Sequence, residues 1–326
     1  MARLLHLAPL LMGCLFALTA VQAQELHATH GVLDARNWNF ETRLPLTGYW
    51  LMAVDTLVAP NQLAGVPMRE TLVPSLWNDN RSDGTGHGVA TYMLTIVLPP
   101  NTKDLSIHIP QLYSAYVLWA NGQQVTAAGK PGVTQESTMP QWVVRAVPLT
   151  VPNDTVQLVL QLANHHHYKG GIKDVIFVGS AKTLQHYWAW TFGSNAVEST
   201  ILLLEALVFL VLYWTKKKRI LIYFSMLCFT WMVRSLFSNL YPVTIMITDF
   251  NWSWQLRIEY FTLFFTIIWS ALFLHELFDR ISNKFVVYTL VGMNVVFFLF
   301  TLVVSPLVFT RLVSLFLGVG GMLIVY

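Results

Sequence analysis

The chain has 326 residues, 55% of them hydrophobic and 11% charged, with 20 Lys and Arg against 17 Asp and Glu, a net charge of +3 and a mean hydropathy of +0.51. A soluble domain carries about 25% charged residues, so an ordinary soluble enzyme is excluded and a membrane protein is indicated. The charge is also uneven: residues 24–186 hold 10 basic and 11 acidic side chains and residues 187–326 hold 9 and 6, a pattern of membrane topology with no basic, aromatic-interleaved stripe for nucleic acid.

Arg3 precedes an apolar run over residues 4–20, and Val21-Gln22-Ala23 follows it. One cation, a short apolar core and compact side chains at −3 and −1 predict a secretory signal peptide, residues 1–23, cut after Ala23. An uncleaved anchor is the alternative, and Leu11-Met12-Gly13-Cys14 faintly matches a lipoprotein box. The two cysteines, Cys14 and Cys228, leave the exported part without a disulfide.

Residues 24–186 read as an exported β domain. Val89 to Leu98, Leu105 to Pro110, Ser114 to Ala120, Thr155 to Leu162 and Val175 to Val178 are short, alternating or apolar runs bounded by turn residues. Asn121-Gly122 tolerates positive φ at both central positions and predicts a tight hairpin. With no long amphipathic helix between the strands, the expected fold is an all-β sandwich or jelly roll.

Three stretches, Val73-Pro-Ser-Leu-Trp77, Gly88-Val-Ala-Thr-Tyr92 and Val117-Leu-Trp-Ala-Asn-Gly122, resemble the galactose-binding-like sandwich that serves as the sugar-binding module of β-galactosidase-type enzymes. Asn164-His165-His166-His167-Tyr168-Lys169-Gly170-Gly171 is similar to the N-x-x-H-x-x-G-G stretch of bacterial seven-transmembrane receptors with diverse intracellular signalling modules (7TMR-DISM type). The resemblance implies a jelly-roll ectodomain that binds a small ligand ahead of a signalling helix bundle. Candidate ligand contacts are Trp77, Asn164, His166, His167, Lys169, Gly170 and Gly171. Trp77 is read either as a core aromatic or as a platform for a pyranose face. The three histidines are read as a hydrogen-bonded turn, not a metal site, because adjacent side chains diverge and no Cys or acidic partner lies nearby. Neither a metal nor a cofactor is expected. Asp79, Asp83 and Glu70 do not mark the carboxylate pair of a glycosidase, so binding without catalysis is expected.

From residue 187 the chain reads as an all-α membrane domain, with spans at about 192–214, 220–240, 255–277, 285–304 and 307–326. Lys216 to Arg219 follows the first span and Arg280 with Lys284 the third, whereas residues 241–254 carry no Lys or Arg. The positive-inside rule then places the β domain outside, and the resemblance implies the periplasmic side of a bacterial inner membrane. Trp188, Trp190, Trp252 and Trp254 suit the outer interface. Glu198, Arg234, Glu259 and Arg311 fall at a similar depth near the outer edge, with Glu205 deeper on the face of Glu198. They are expected to form an interhelical polar cluster, either as packing ion pairs or as a signal relay.

The resemblance extends into this half, through Arg257-Ile-Glu-Tyr260 and Leu277-Phe278. It implies seven helices and an output module such as a kinase, nucleotide cyclase or phosphatase, so a chain with about five helices is expected to be C-terminally truncated. The leading expectation is a sensory receptor; the alternative is a transporter or envelope-glycan membrane protein with a carbohydrate-binding ectodomain. Expected partners are a small-molecule or carbohydrate ligand, membrane lipid, a cytoplasmic output module and a second copy of the chain.

Overall fold

The longest alternating run, Thr155–Asn164 (β11), is the centre of the larger sheet in the computed structural model, which describes residues 26–247, 250–278 and 283–325. The expected signal peptide and Arg280 lie outside the described residues. β11 pairs antiparallel along its whole length with Gly88–Val97 (β6), and its other edge carries Ala115–Ala120 (β8) and then Gln123–Ala128 (β9). Beyond β6 come Gly48–Val54 (β3) and Arg69–Val73 (β4), and Val32–Asp34 (β1) runs parallel to the end of β6. A second sheet has the order Arg145–Pro148 (β10), Leu105–Ile109 (β7), Phe177–Ser180 (β13) and Leu44–Pro45 (β2). A two-stranded ladder joins Ser75–Leu76 (β5) to Gly171–Ile172 (β12).

Period-two patterning sends Val156, Leu158, Leu160 and Leu162 of β11, with Tyr92, Leu94 and Ile96 of β6, into one core. Leu105, Ile107, Ile109 and Val178 meet them from the second sheet. Each such aliphatic side chain contributes about 1.5–3 kcal/mol of burial, which fits a β-sandwich stable without a disulfide. The predicted hairpin is present: Asn121 and Gly122 have φ of 50° and 80°. Asn121 also ties the turn down, donating to the Thr150 carbonyl at 3.0 Å and accepting from the Gln157 amide at 2.9 Å.

Among the described residues five long helices follow. Ser180 ends β13 and caps Ala181–Lys216 (α1), its hydroxyl accepting from the Thr183 amide at 3.1 Å. The helix therefore begins eleven residues before the predicted span, because the capped turn grows straight out of the sheet. Arg219–Leu236 (α2), a short helix Pro242–Met246, Trp252–Leu277 (α3), Lys284–Val303 (α4) and Pro306–Val325 (α5) complete the bundle. α1 to α4 are long and apolar enough to cross a membrane, and α5 is apolar over Pro306–Gly321. The α1–α2 seam combines one edge-to-face pair, Phe209 and Phe224 at 4.5 Å, with small polar residues, which let helices approach closely in lipid. Asn195 donates to the Ser235 carbonyl at 2.9 Å, Ser199 meets Ser235 at 2.6 Å, and Ser225 donates to the Ala206 carbonyl at 2.6 Å. α3, α4 and α5 instead meet through Phe264, Phe297 and Phe316.

Candidate functional site at the sandwich and bundle junction

Asn164, the last residue of β11, folds the following loop on itself. Its side-chain amide donates to the carbonyls of Gly86, His167 and Lys169 at 2.7, 2.8 and 2.9 Å, and its oxygen accepts from the His167 amide at 3.1 Å. With only 1% of the residue exposed, it is the lock of the loop and its polar atoms are used by the protein. Gly170 packs directly on the backbone of Gly86; a Cβ there would collide with the Gly86 carbonyl and lie 2.8 Å from the Trp77 ring. Gly170 also receives Trp77's amide on its carbonyl at 2.9 Å and gives its own to Asn78 at 3.1 Å. Gly171 has φ of 98° and pairs with Leu76.

Trp77 is a core side chain, 5% exposed, with its indole N–H on the Tyr92 hydroxyl at 2.5 Å. Of the two sequence readings, the packed one describes this residue, since almost none of its surface is left for a sugar ring to stack on. The three histidines point three ways. His165 meets the Gly132 carbonyl at 3.2 Å, His166 sets its ring edge-on to Trp252 at 5.9 Å, and His167 stacks on Tyr113 at 4.7 Å. His167 Nδ1 lies 3.0 Å from both the carbonyl oxygen and the amide nitrogen of Lys169, so either tautomer is held. Burial, with Lys169 and Lys173 adding repulsion, pushes the His167 pKa down to about 4 and keeps the ring neutral. Asp83 accepts from the Thr85 amide at 3.0 Å and sits 3.5 Å from Arg81. That carboxylate shapes its loop.

The same loop touches the bundle. Tyr168 donates its amide to Thr310 Oγ1 of α5 at 3.1 Å. Tyr113, Trp142 and Val144 of the sandwich pack in one apolar cluster with Leu240, Tyr241, Trp252, Leu256 and Phe309 of the helical half. Trp142 anchors it, donating to the Tyr113 carbonyl at 2.7 Å while its ring lies 6.1 Å from Tyr241 and 5.9 Å from Trp252. Trp188, at the top of α1, donates to His108 of β7 at 3.2 Å. Trp190 and Trp254 stay exposed, 74% and 52%, as interface anchors do. Beside the cluster a cavity of about 240 Å3 opens between the domains, with Lys169 and Lys173 from the sandwich and Glu259 and Ser314 from the helices on its wall. Glu259 lines it, and its Oε2 is buried without a hydrogen-bond partner among the described residues.

The helix charges do not form the single cluster expected. Arg234 donates to the backbone carbonyl of Glu259 at 3.3 Å and to Thr262 Oγ1 at 3.2 Å, not to a carboxylate. Glu198 and Glu205 line a groove on the outward face of α1, where Glu205 accepts from Cys228 at 3.6 Å. Arg311 is exposed and near enough to His87 to help hold that imidazole's pKa down, after burial and His165. Among the described residues no ion pair joins any two of the five. Similar depth along the helices does not set azimuth: α1 turns Asn195 and Ser199 to α2, leaves Glu198 exposed, and brings Glu205 to the thiol of Cys228 instead of to a cation.

Tyr113, Trp142, Tyr241 and Lys173 were not among the sequence candidates, although they build the junction. The available signal was Gln141-Trp142-Val-Val144, an apolar run outside any strand pattern and so in need of another partner.

A β-sandwich joined through a strand-capped helix to a multi-helix apolar bundle defines a two-domain, multi-pass membrane protein. Its helical half, residues 199–326, matches the family 7TMR-DISM_7TM, 7TM diverse intracellular signalling. No curated relative matches the sequence. Among solved structures the chain is similar to β-glucuronidase from Ruminococcus gnavus in complex with uronic isofagomine, at 15% identity and a TM-score of 0.33 over 43% of this chain and 29% of that one. It is similar to an uncultured Clostridium sp. β-glucuronidase to the same degree, with 15% identity, TM-score 0.33, and 43% and 29% coverage. The chain thus spans under a third of the length of those enzymes.

Proposed function

We propose that this chain is the sensing and membrane-spanning part of a bacterial sensory receptor, in which the sandwich lies outside the inner membrane, binds a small ligand of carbohydrate or related chemistry, and alters the helix bundle that drives a cytoplasmic output. The observation that carries this reading is the junction. Loop 164–171 is locked by Asn164 on the sandwich side and bonded through Tyr168 to Thr310 on the helix side. A ligand that favours one arrangement of the loop therefore favours one position of α5. The cation run Lys216 to Arg219 at the far end of α1 supports the orientation.

The test uses the full chain in lipid nanodiscs, spin-labelled at the far ends of α1 and α3, with a panel of mono- and disaccharides and sugar acids. Binding seen by calorimetry together with a changed interlabel distance is the expected result. Binding that leaves the distances fixed, or ligand-dependent flux through liposomes, would replace the receptor by a transporter or a docking module.

A further inference from the structure

The cavity at the junction has the composition of a ligand site. We infer that it binds a small carboxylate that also carries a hydroxyl or ammonium group, with the acid end on Lys169 and Lys173 and the donor end on Glu259. This deepens the receptor reading and rests on it for its signalling consequence only.

Its two ends differ in charge. Lys169 and Lys173 are exposed residues on the sandwich wall. Lys173 is offset by Asp174 at 3.4 Å and lies over the Tyr113 ring at 5.7 Å, whereas Lys169 has no ion pair among the described residues. The helix wall supplies the opposite need. Among the described residues no donor reaches the buried Glu259 Oε2, while the backbone carbonyl of the same residue is already served by Arg234 and by Thr262. A buried carboxylate oxygen left unpaired is costly, and neither lysine comes within ion-pair distance of it. A hydroxyl or ammonium on the ligand satisfies that oxygen while its own carboxylate satisfies the lysines.

Size and walls narrow the class further. A cavity of about 240 Å3 holds the equivalent of about eight waters at about 30 Å3 each, the scale of an amino acid, a hydroxy acid or a single sugar acid. Trp142 and Tyr260 on its wall provide apolar faces, and Thr310 and Ser314 provide hydroxyls. Because one wall is sandwich and the other is helix, the ligand's grip on both differs whenever the two move apart, which is the condition for coupling.

The experiment titrates the full chain in nanodiscs with lactate, serine, glutamate and glucuronate, and with lactamide and glucose as uncharged controls, reading tryptophan fluorescence and calorimetry. At least one acid binds saturably and the controls do not. Affinity falls at least tenfold in Lys169→Met/Lys173→Met and in the cavity-filling Ser314→Trp, and stays within about threefold in Lys169→Arg/Lys173→Arg, with the ligand-free melting temperature unchanged in the lysine variants. Failure of all four acids to bind, or equal binding by the Met and Trp variants, overturns the site. Glucose binding that persists in those variants and still moves the helix ends overturns the cavity while leaving the receptor standing. Acid binding that is lysine-dependent but moves no helix keeps the site and removes the receptor.

Discussion

The amide of Tyr168 and the hydroxyl of Thr310, 142 residues apart in the chain, are 3.1 Å apart in space. This backbone-to-side-chain bond joins the β-sandwich to α5. Replacing Thr310 by Val keeps the shape and removes the acceptor. A buried hydrogen bond contributes about 1 kcal/mol, so hydrogen exchange at Tyr168 should accelerate about fivefold while exchange in the β11 core stays unchanged.

Asn164→Ala strands three carbonyls and one amide that the side chain now serves. The expected loss is about 3 kcal/mol or more. Asn164→Asp should be worse than its near-identical shape suggests, since it turns a carboxylate toward three carbonyl oxygens. Thermal unfolding of the two variants in parallel checks the order.

Gly170→Ala and Gly122→Ala separate close packing from backbone conformation. Gly122 sits at φ of 80° with nothing within 4 Å of an added Cβ, so Ala there bears only the left-handed penalty of about 1–2 kcal/mol. Gly170 faces the Gly86 backbone, and Ala must push two loops apart. A smaller melting-temperature loss at 170 than at 122 would refute the packing account.

His108 and His167 give the sandwich an acid limit. Burial first, helped by Arg43 at His108 and by Lys169 and Lys173 at His167, lowers both pKa values to about 4. The unfolded chain, with histidine near 6.5, therefore binds more protons between those values. Stability is fully present above about pH 6.5 and is lost as pH falls toward 4, by about 3 kcal/mol per histidine. The slope of melting temperature against pH in that window should shrink by about half in His167→Gln, and an unchanged slope would remove His167 from the account.

Arg234→Leu should destabilise the α2–α3 contact by removing donors to the Glu259 carbonyl and Thr262. Neutralising Glu198 should not rescue it, because the guanidinium is not paired with that carboxylate. A double-mutant cycle between positions 234 and 198 is expected to give a coupling within about 0.5 kcal/mol of zero.

Strands with clean alternation or turn markers were readable in advance, as Thr155 to Leu162 and the Asn121-Gly122 hairpin show. β3 and β4 were not, although Gly48-Tyr-Trp-Leu-Met-Ala-Val54 is apolar enough, because Leu51 and Ala53, which alternate with Trp50 and Met52, are apolar too and hide the period-two rhythm. The membrane spans were legible because lipid demands long apolar runs; their rotation was not, since it depends on which small residues, such as Ser199 and Ser235, meet. For the same reason the loop motif was visible but its use was not. Asn164 and Gly170 look like ligand contacts in a linear string and prove to be a backbone clasp, and the open polar wall beside them comes from Lys173 and Glu259, which distant parts of the chain bring together.

α1 leaves β13 at Ser180 without an intervening loop and runs for 36 residues, about 54 Å at 1.5 Å per residue. A rod of that length, capped in the sheet at one end, has no joint to absorb rotation. Each residue added near its start turns the far end by about 100° relative to the sandwich, so the phase of the helix, not merely its length, is inherited by whatever it meets on the other side of the bilayer.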